Sequence, residues 1–217
     1  MSLAEPRVLQ LGEPAPDFTL PSVQGTGTVS LSDYHGRSPL LLAFFRGIYC
    51  PFCRRQIAKL GLSHDKLRAA GVETLAVVAS NLERTRLYFR YRPTKVPLAV
   101  DPAMNTHRAF GVRKFPVTPE LTQALETFRI DVGGELPEPL SVHDAAVALN
   151  NKDRFEYVPS DKQEIEEQFP TDTGQFLVDP EGIVRWIHLE SAGEGLAGMG
   201  KFPSEDELLT LARQHRA

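Results

Sequence analysis

The run Leu40-Leu-Leu-Ala-Phe-Phe45 restricts the fold of this chain more than any other feature. A strand with one wet face alternates apolar and polar residues. A strand without that alternation must be covered on both faces, which predicts a central strand with helices on either side. The residues after it agree. Residues 51–70 read as a helix with Pro51 in the first turn, where its missing N–H does no harm, and an apolar stripe of Ile57, Leu60 and Leu67. Gly71 closes it. Residues 72–79 read as a second buried strand, after which Ser80 is predicted to cap a helix with Glu83 as its capping-box partner and Pro93 as its stop. Residues 97–100 form a third strand, and Asp101-Pro102 opens a helix that ends at Gly111. Strand and helix in alternation imply a parallel sheet with helices on its faces.

The pattern changes at both ends. Residues 12–22 and 28–32, joined across a Gly25-Thr-Gly27 turn, read as a short N-terminal hairpin. Residues 175–179 and 183–189, separated by Asp179-Pro-Glu-Gly182, read as an antiparallel hairpin that makes the sheet mixed. A last helix starts at Ser204 with Glu207 as its box partner. Between lies a long segment, about residues 113–172, where Thr118-Pro-Glu-Leu is a strong helix start and Ser141 and Ser160 are candidate caps. It reads as a mostly helical insertion within one domain spanning 1–217. The expected class is therefore α/β, a three-layer fold with a central mixed sheet.

The chain has two cysteines, Cys50 and Cys53, placed where the central strand hands over to its helix. Two cysteines cannot form a disulfide framework for 217 residues. A helical offset of three sets two side chains on one face, roughly 5–6 Å apart at Cβ, within small adjustment of disulfide geometry. The free N–H groups and dipole of a helix start favour a thiolate, and Arg46, Arg54 and Arg55 add positive charge nearby. One cysteine would attack a disulfide or peroxide and the other would resolve the product. A C-x-x-C pair can also be half of a zinc site. Zinc takes four ligands, however; no second cysteine pair exists, and His64 falls on the apolar stripe as a core histidine. A buried, inert pair is the third reading. No metal or cofactor is expected.

Composition removes other classes. The net charge is −4, so no basic surplus argues for nucleic acid or anionic membrane. No apolar stretch approaches the roughly 20 residues of a membrane span, and Met1-Ser-Leu-Ala-Glu-Pro-Arg has no signal-peptide pattern, so a cytoplasmic protein is expected. Arg84, Arg86, Arg90 and Arg92 read as a solvated face paired with acids, with Tyr88, Phe89 and Tyr91 as packing groups. Trp186 and His188 share one face of the late strand and are read as packing. The glycine-rich residues 192–200 read as a mobile loop bordering the site.

Four segments resemble a known family. They are Gly12-x-x-Ala15-Pro16-Asp17-Phe18-x-Leu20, Leu31-Ser-Asp-Tyr-His-Gly36, Phe44-Phe-Arg-Gly-Ile-Tyr-Cys-Pro-Phe-Cys-Arg-Arg-Gln56 and Phe176-Leu-Val-Asp-Pro-Glu-Gly-Ile-Val184. In this order they resemble the alkyl hydroperoxide reductase/thiol-specific antioxidant (redoxin) family, in its peroxiredoxin-like C-x-x-C subgroup, over about residues 10–112 and 174–215. The resemblance implies a thioredoxin-like fold and thiol-dependent oxidoreductase or antioxidant activity. Its partners would be a peroxide or a protein or small-molecule disulfide as substrate, and a thioredoxin- or glutathione-type reductant. In the thioredoxin register Cys50 is the attacking sulfur. In the peroxiredoxin register Cys53 is the peroxidatic sulfur and Cys50 replaces the threonine that helps bind peroxide. Arg46 stands where peroxiredoxins carry a proline, and Thr173 where they place an arginine and thioredoxins a cis-proline. Without the threonine and arginine, the hydrogen bonds that stabilise a leaving oxygen are lost, so disulfide exchange is expected to survive better than peroxide reduction. A catalytically weak redox sensor or binding module on the same fold is the alternative. The insertion has two open roles, covering the site or forming a homodimer contact.

Overall fold

A computed structural model describes residues 9–193 and 195–215. A small hairpin, β1 (Thr19–Pro21) and β2 (Thr28–Ser30), precedes the apolar run, which forms β3 (Leu40–Phe45). Then come α1 (Pro51–Ala69), β4 (Glu73–Val78), α2 (Leu82–Tyr91), β5 (Leu98–Val100) and the short α3 (Asn105–Ala109). The insertion holds α4 (Pro119–Thr127), the two-stranded ribbon β6 (Arg129–Ile130) and β7 (Leu140–Ser141), α5 (Val142–Asp153) and α6 (Pro159–Gln168). The chain closes with β8 (Gly174–Val178), β9 (Val184–Leu189) and α7 (Glu205–Gln214).

The main sheet runs β5-β4-β3-β8-β9, so the apolar run is its middle strand, as its lack of alternation predicts. β3 pairs parallel with β4, and β4 with β5, while β8 and β9 join antiparallel. Each residue of β3 is fully enclosed, and the pleat divides them. Leu41, Ala43 and Phe45 pack with Ile57, Leu60 and Leu67 of α1. Leu40, Leu42 and Phe44 pack with Phe18, Phe110 and Phe176 on the other face. This is the three-layer α/β architecture with a mixed sheet.

Capping follows the sequence at three helices. Thr118, Ser141 and Ser204 each accept from the backbone N–H three residues on. It fails at two. Ser80 does not cap α2: its hydroxyl accepts from Ile48 N at 3.0 Å and donates to Glu164 at 2.6 Å, so Asn81 takes the cap and accepts from Arg84 N. Ser160 lies inside α6 behind Pro159, and Asp161 accepts from Val158 N instead. The helix expected from Asp101 begins only at Asn105, because Met104 is left-handed (φ 55°) and the Asp101 carboxylate holds Thr106 N at 2.6 Å.

The basic run on α2 is paired with acids as expected, with Arg90 and Arg92 exposed, and Arg86 bonds Glu83 on its own helix, but the run also ties distant segments together. Arg84 pairs with fully buried Asp161 of α6 at 2.8 Å, Arg92 donates to Asp153 O at the end of α5, and Arg86 donates to Ser22 O and Gly25 O of the N-terminal hairpin. On the other side of the insertion, Arg54 and Arg55 of α1 both pair with Asp153, and Arg55 also grips Glu135. The insertion is thus docked against α1 and α2, over the helix start that carries the cysteines.

Candidate active site

β3 ends at Phe45 and delivers Arg46 into the interior. The guanidinium makes a two-pronged bond to Glu190, at 2.9 and 3.1 Å, and donates to Thr171 O at 2.7 Å. Glu190 follows β9, so β3 and β9 bring the pair together across the intervening strand β8. Glu190 also accepts from Gly200 N, and Gly200 O accepts from Gln56 of α1 at 3.0 Å. The loop end expected to border the site does so through Gly200.

The turn from Arg46 to Cys50 is tightly built. A Cβ on Gly47 would lie 2.4 Å from the Tyr49 ring and 2.8 Å from the Ser80 hydroxyl, so only glycine fits. Two insertion residues clamp this turn. Glu164 holds Ser80, which bonds Ile48 N, and Gln168 accepts from the Tyr49 hydroxyl at 3.3 Å. Arg54 donates to Ile48 O at 2.7 Å from within α1.

Cys50 occupies the N-cap of α1, with an extended backbone, and its sulfur accepts from Cys53 N at 3.3 Å. Cys50 is 6% exposed and Cys53 0%. Burial raises the Cys50 thiol, but the Cys53 thiol, the Arg46 guanidinium and the Cys53 amide outweigh it and bring Cys50 down to about 6. Cys53 moves the other way. Burial raises it first, and the charge kept on Cys50 raises it further. The pair is therefore asymmetric: one sulfur is held as a thiolate and the other as a thiol that donates to it.

Asp172 lies beside this charge cluster and was not visible in the sequence. Its carboxylate accepts from Ser191 Oγ at 2.6 Å and from the N–H groups of Thr173 and Ser191. Burial pushes it up to about 6; the Ser191 hydroxyl opposes, Glu190 adds to the rise and Arg46 reduces it. A folded-state value above the ordinary 3.8 means that the native protein binds the proton more tightly than the unfolded chain. The contribution of Asp172 to stability therefore falls as pH rises from about 4 to about 6, by about 3 kcal/mol. Asp172→Asn is expected to remove that fall in urea titrations across this window. An unchanged pH dependence would show that Asp172 is ionised throughout.

Thr173, at the position of the family arginine, is fully buried and its hydroxyl has no partner among the described residues. His64 is a core residue as expected, with Nδ1 2.7 Å from the Thr74 hydroxyl. Trp186 and His188 stack with centroids 6.0 Å apart. Among the described residues no group of three His, Cys, Asp or Glu side chains is placed to hold a metal ion. No described helix is long and apolar enough to cross a membrane.

Comparison with known proteins places the chain. The thiol-disulfide oxidoreductase ResA of Halalkalibacterium halodurans is 29% identical over 133 residues, covering 60% of this chain and 73% of that protein. Among solved structures, peroxidoxin BcpB from Mycobacterium tuberculosis superposes with a TM-score of 0.59 at 15% identity, covering 96% of this chain and 99% of that one. The reduced 2-Cys peroxiredoxin of Plasmodium vivax gives 0.58 at 17% identity, covering 94% and 80%. These structural likenesses bear on the thioredoxin-like fold. The family model for AhpC/TSA matches residues 11–138, more than half of the chain, and its span includes β3, Cys50 and Cys53. The chain belongs to the AhpC/TSA family.

Proposed function

We propose that this thiol-dependent oxidoreductase works by dithiol–disulfide exchange, with Cys50 as the attacking sulfur and Cys53 as the resolving one. The observation that carries this is the placement of the pair: Cys50 sits at the N-cap of α1 with its sulfur accepting from Cys53 N and is 6% exposed, whereas Cys53 is fully enclosed. The Cys50 thiolate attacks one sulfur of a substrate disulfide. The substrate S–S bond breaks and its electron pair leaves on the second sulfur, which takes a proton from water. Cys53 then loses its proton and attacks the Cys50 sulfur, expelling the first substrate thiolate and forming the Cys50–Cys53 bond. The substrate gains two electrons and the protein loses them. A thioredoxin- or glutathione-type reductant returns them.

Peroxide is the less favoured oxidant in this reading. In the peroxiredoxin register the attacking sulfur would be Cys53, which burial and the neighbouring charge hold protonated. A cytoplasmic setting fits the need for a thiol reductant and stays part of the proposal.

The test is a stopped-flow comparison at pH 6 of the reduced protein with free cysteine. There about half of Cys50 is thiolate, against about 0.3% of an ordinary thiol. A less basic sulfur is also a weaker nucleophile, which cancels roughly tenfold of that advantage. Glutathione disulfide should therefore react roughly tenfold faster with the protein than with free cysteine, and faster than hydrogen peroxide does. A rate no better than free cysteine contradicts the proposal. So does a faster reaction with peroxide that survives Cys50→Ser.

A further inference from the structure

The insertion carries more than a cover. Tyr157, in the segment between α5 and α6, is 42% exposed, whereas Cys50 is 6% exposed. A connected set of bonds places Tyr157 relative to Cys50. Arg54 donates to Ile48 O, two residues before Cys50, and to Asn150 Oδ1, each at 2.7 Å. Asn150 Nδ2 donates to the Tyr157 oxygen at 2.6 Å. Arg54 also lies 4.2 Å from the Phe155 ring centre, and Phe155 meets Tyr157 edge-on at 5.5 Å. Both the ring and the oxygen of Tyr157 are thus fixed from the helix that holds the cysteines. Burial raises its phenol, Arg54 opposes, and the charge on Cys50 raises it further, so the phenol stays protonated within electrostatic reach of the sulfur.

The Tyr157 oxygen uses a lone pair on Asn150, and no acceptor among the described residues takes its hydrogen. A phenol O–H with a fixed oxygen, tied through Asn150 and Arg54 to the turn that carries Cys50, is a donor waiting for a substrate atom on which negative charge develops. We propose that Tyr157 is a substrate-contacting residue whose O–H hydrogen-bonds the departing sulfur when Cys50 opens a disulfide. The electron pair of the broken S–S bond settles on that sulfur, the phenol stabilises it without surrendering its proton, and water supplies the proton afterwards. This rests on Cys50 being the attacking sulfur. It makes the insertion part of substrate selection, favouring disulfides whose leaving thiolate is basic and needs help.

Tyr157→Phe removes the hydroxyl and keeps the ring. Single-turnover oxidation of the reduced protein is measured with two disulfides, 5,5′-dithiobis(2-nitrobenzoic acid) with its weakly basic leaving group and glutathione disulfide with its basic one. Cys50→Ser is run alongside. The expected result is a roughly tenfold slowing with glutathione disulfide and less than about twofold with the aromatic disulfide, a steeper dependence on leaving-group basicity. Equal slowing of both reagents, which a merely structural role would give, overturns the proposal. So does no slowing of either while Cys50→Ser is dead. Retention of both reactions by Cys50→Ser overturns it together with the reading of Cys50.

Discussion

Cys50→Ser is expected to lower steady-state reduction of a disulfide substrate by at least about a thousandfold, because no other described sulfur is held as a thiolate. Cys53→Ser should behave differently. Its first attack persists, since Arg46 and the backbone N–H at the helix start still support the Cys50 charge. The loss of the Cys53 thiol, which also donates to Cys50, slows it modestly. Resolution then fails. The mixed disulfide with the substrate accumulates at one equivalent, because an external thiol must replace a neighbour that attacks within the same molecule. Mass spectrometry of the quenched reaction separates the two variants. A substrate adduct on Cys53 in Cys50→Ser, formed as fast as in the parent protein, would reverse the assignment.

Arg46→Met is expected to have two effects that a second change pulls apart. Glu190 is left as a buried carboxylate with Gly200 N as its remaining hydrogen-bond donor among the described residues. Removing one member of such a pair costs about 3–5 kcal/mol, a large share of the 5–15 kcal/mol typical of a folded domain. The same change removes the cation that, after the Cys53 thiol, does most to hold Cys50 low, so the Cys50 pKa should rise from about 6 part of the way toward the ordinary thiol value. Adding Glu190→Gln neutralises the stranded acid and should restore at least half of the lost stability in urea unfolding. It should bring the thiol pKa back only part of the way, because the Glu190 charge no longer repels the Cys50 thiolate but the cation is still missing. If the double variant regains both, Arg46 acts on Cys50 only through the fold. If Arg46→Met leaves both unchanged, the charge cluster is not coupled to the thiols.

Much of the fold could be read from residues in order. The apolar run at 40–45 led to a central strand, and its position as the third of five strands follows from having no face that tolerates water. Thr118, Ser141 and Ser204 cap where the local pattern places them, since no other donor among the described residues competes for their oxygens. Ser80 failed for a tertiary reason: Ile48 N and Glu164, far away in sequence, hold its hydroxyl, and Asn81 was there to replace it. The basic run on α2 pairs with acids as expected, Arg84 with Asp161 and Arg86 with Glu83, but its ties to the insertion and the N-terminal hairpin depend on elements far away in sequence.

The cysteines were legible because their chemistry is local: spacing, a helix start and an adjacent arginine. Their asymmetry was not. It depends on Arg46 being locked to Glu190, and no periodicity links those residues; only the ordering β3-β8-β9 does. Asp172 and Tyr157 escaped for the same reason, each being defined by neighbours from other elements. The insertion's placement against α1 and α2 became clear only through Arg54, Arg55 and Arg84, whose charges in the sequence are indistinguishable from solvated ones.

Whether Cys50 is the thiolate and Cys53 the protected thiol can be read from their reactivity. Reduced protein is alkylated with iodoacetamide from pH 4 to pH 10, and each cysteine is quantified by peptide mass spectrometry. Cys50 should be modified with a midpoint near pH 6 while Cys53 remains unmodified well above that. Modification of Cys53 first, or a Cys50 midpoint near the ordinary thiol value of about 8.5, would refute that division of roles.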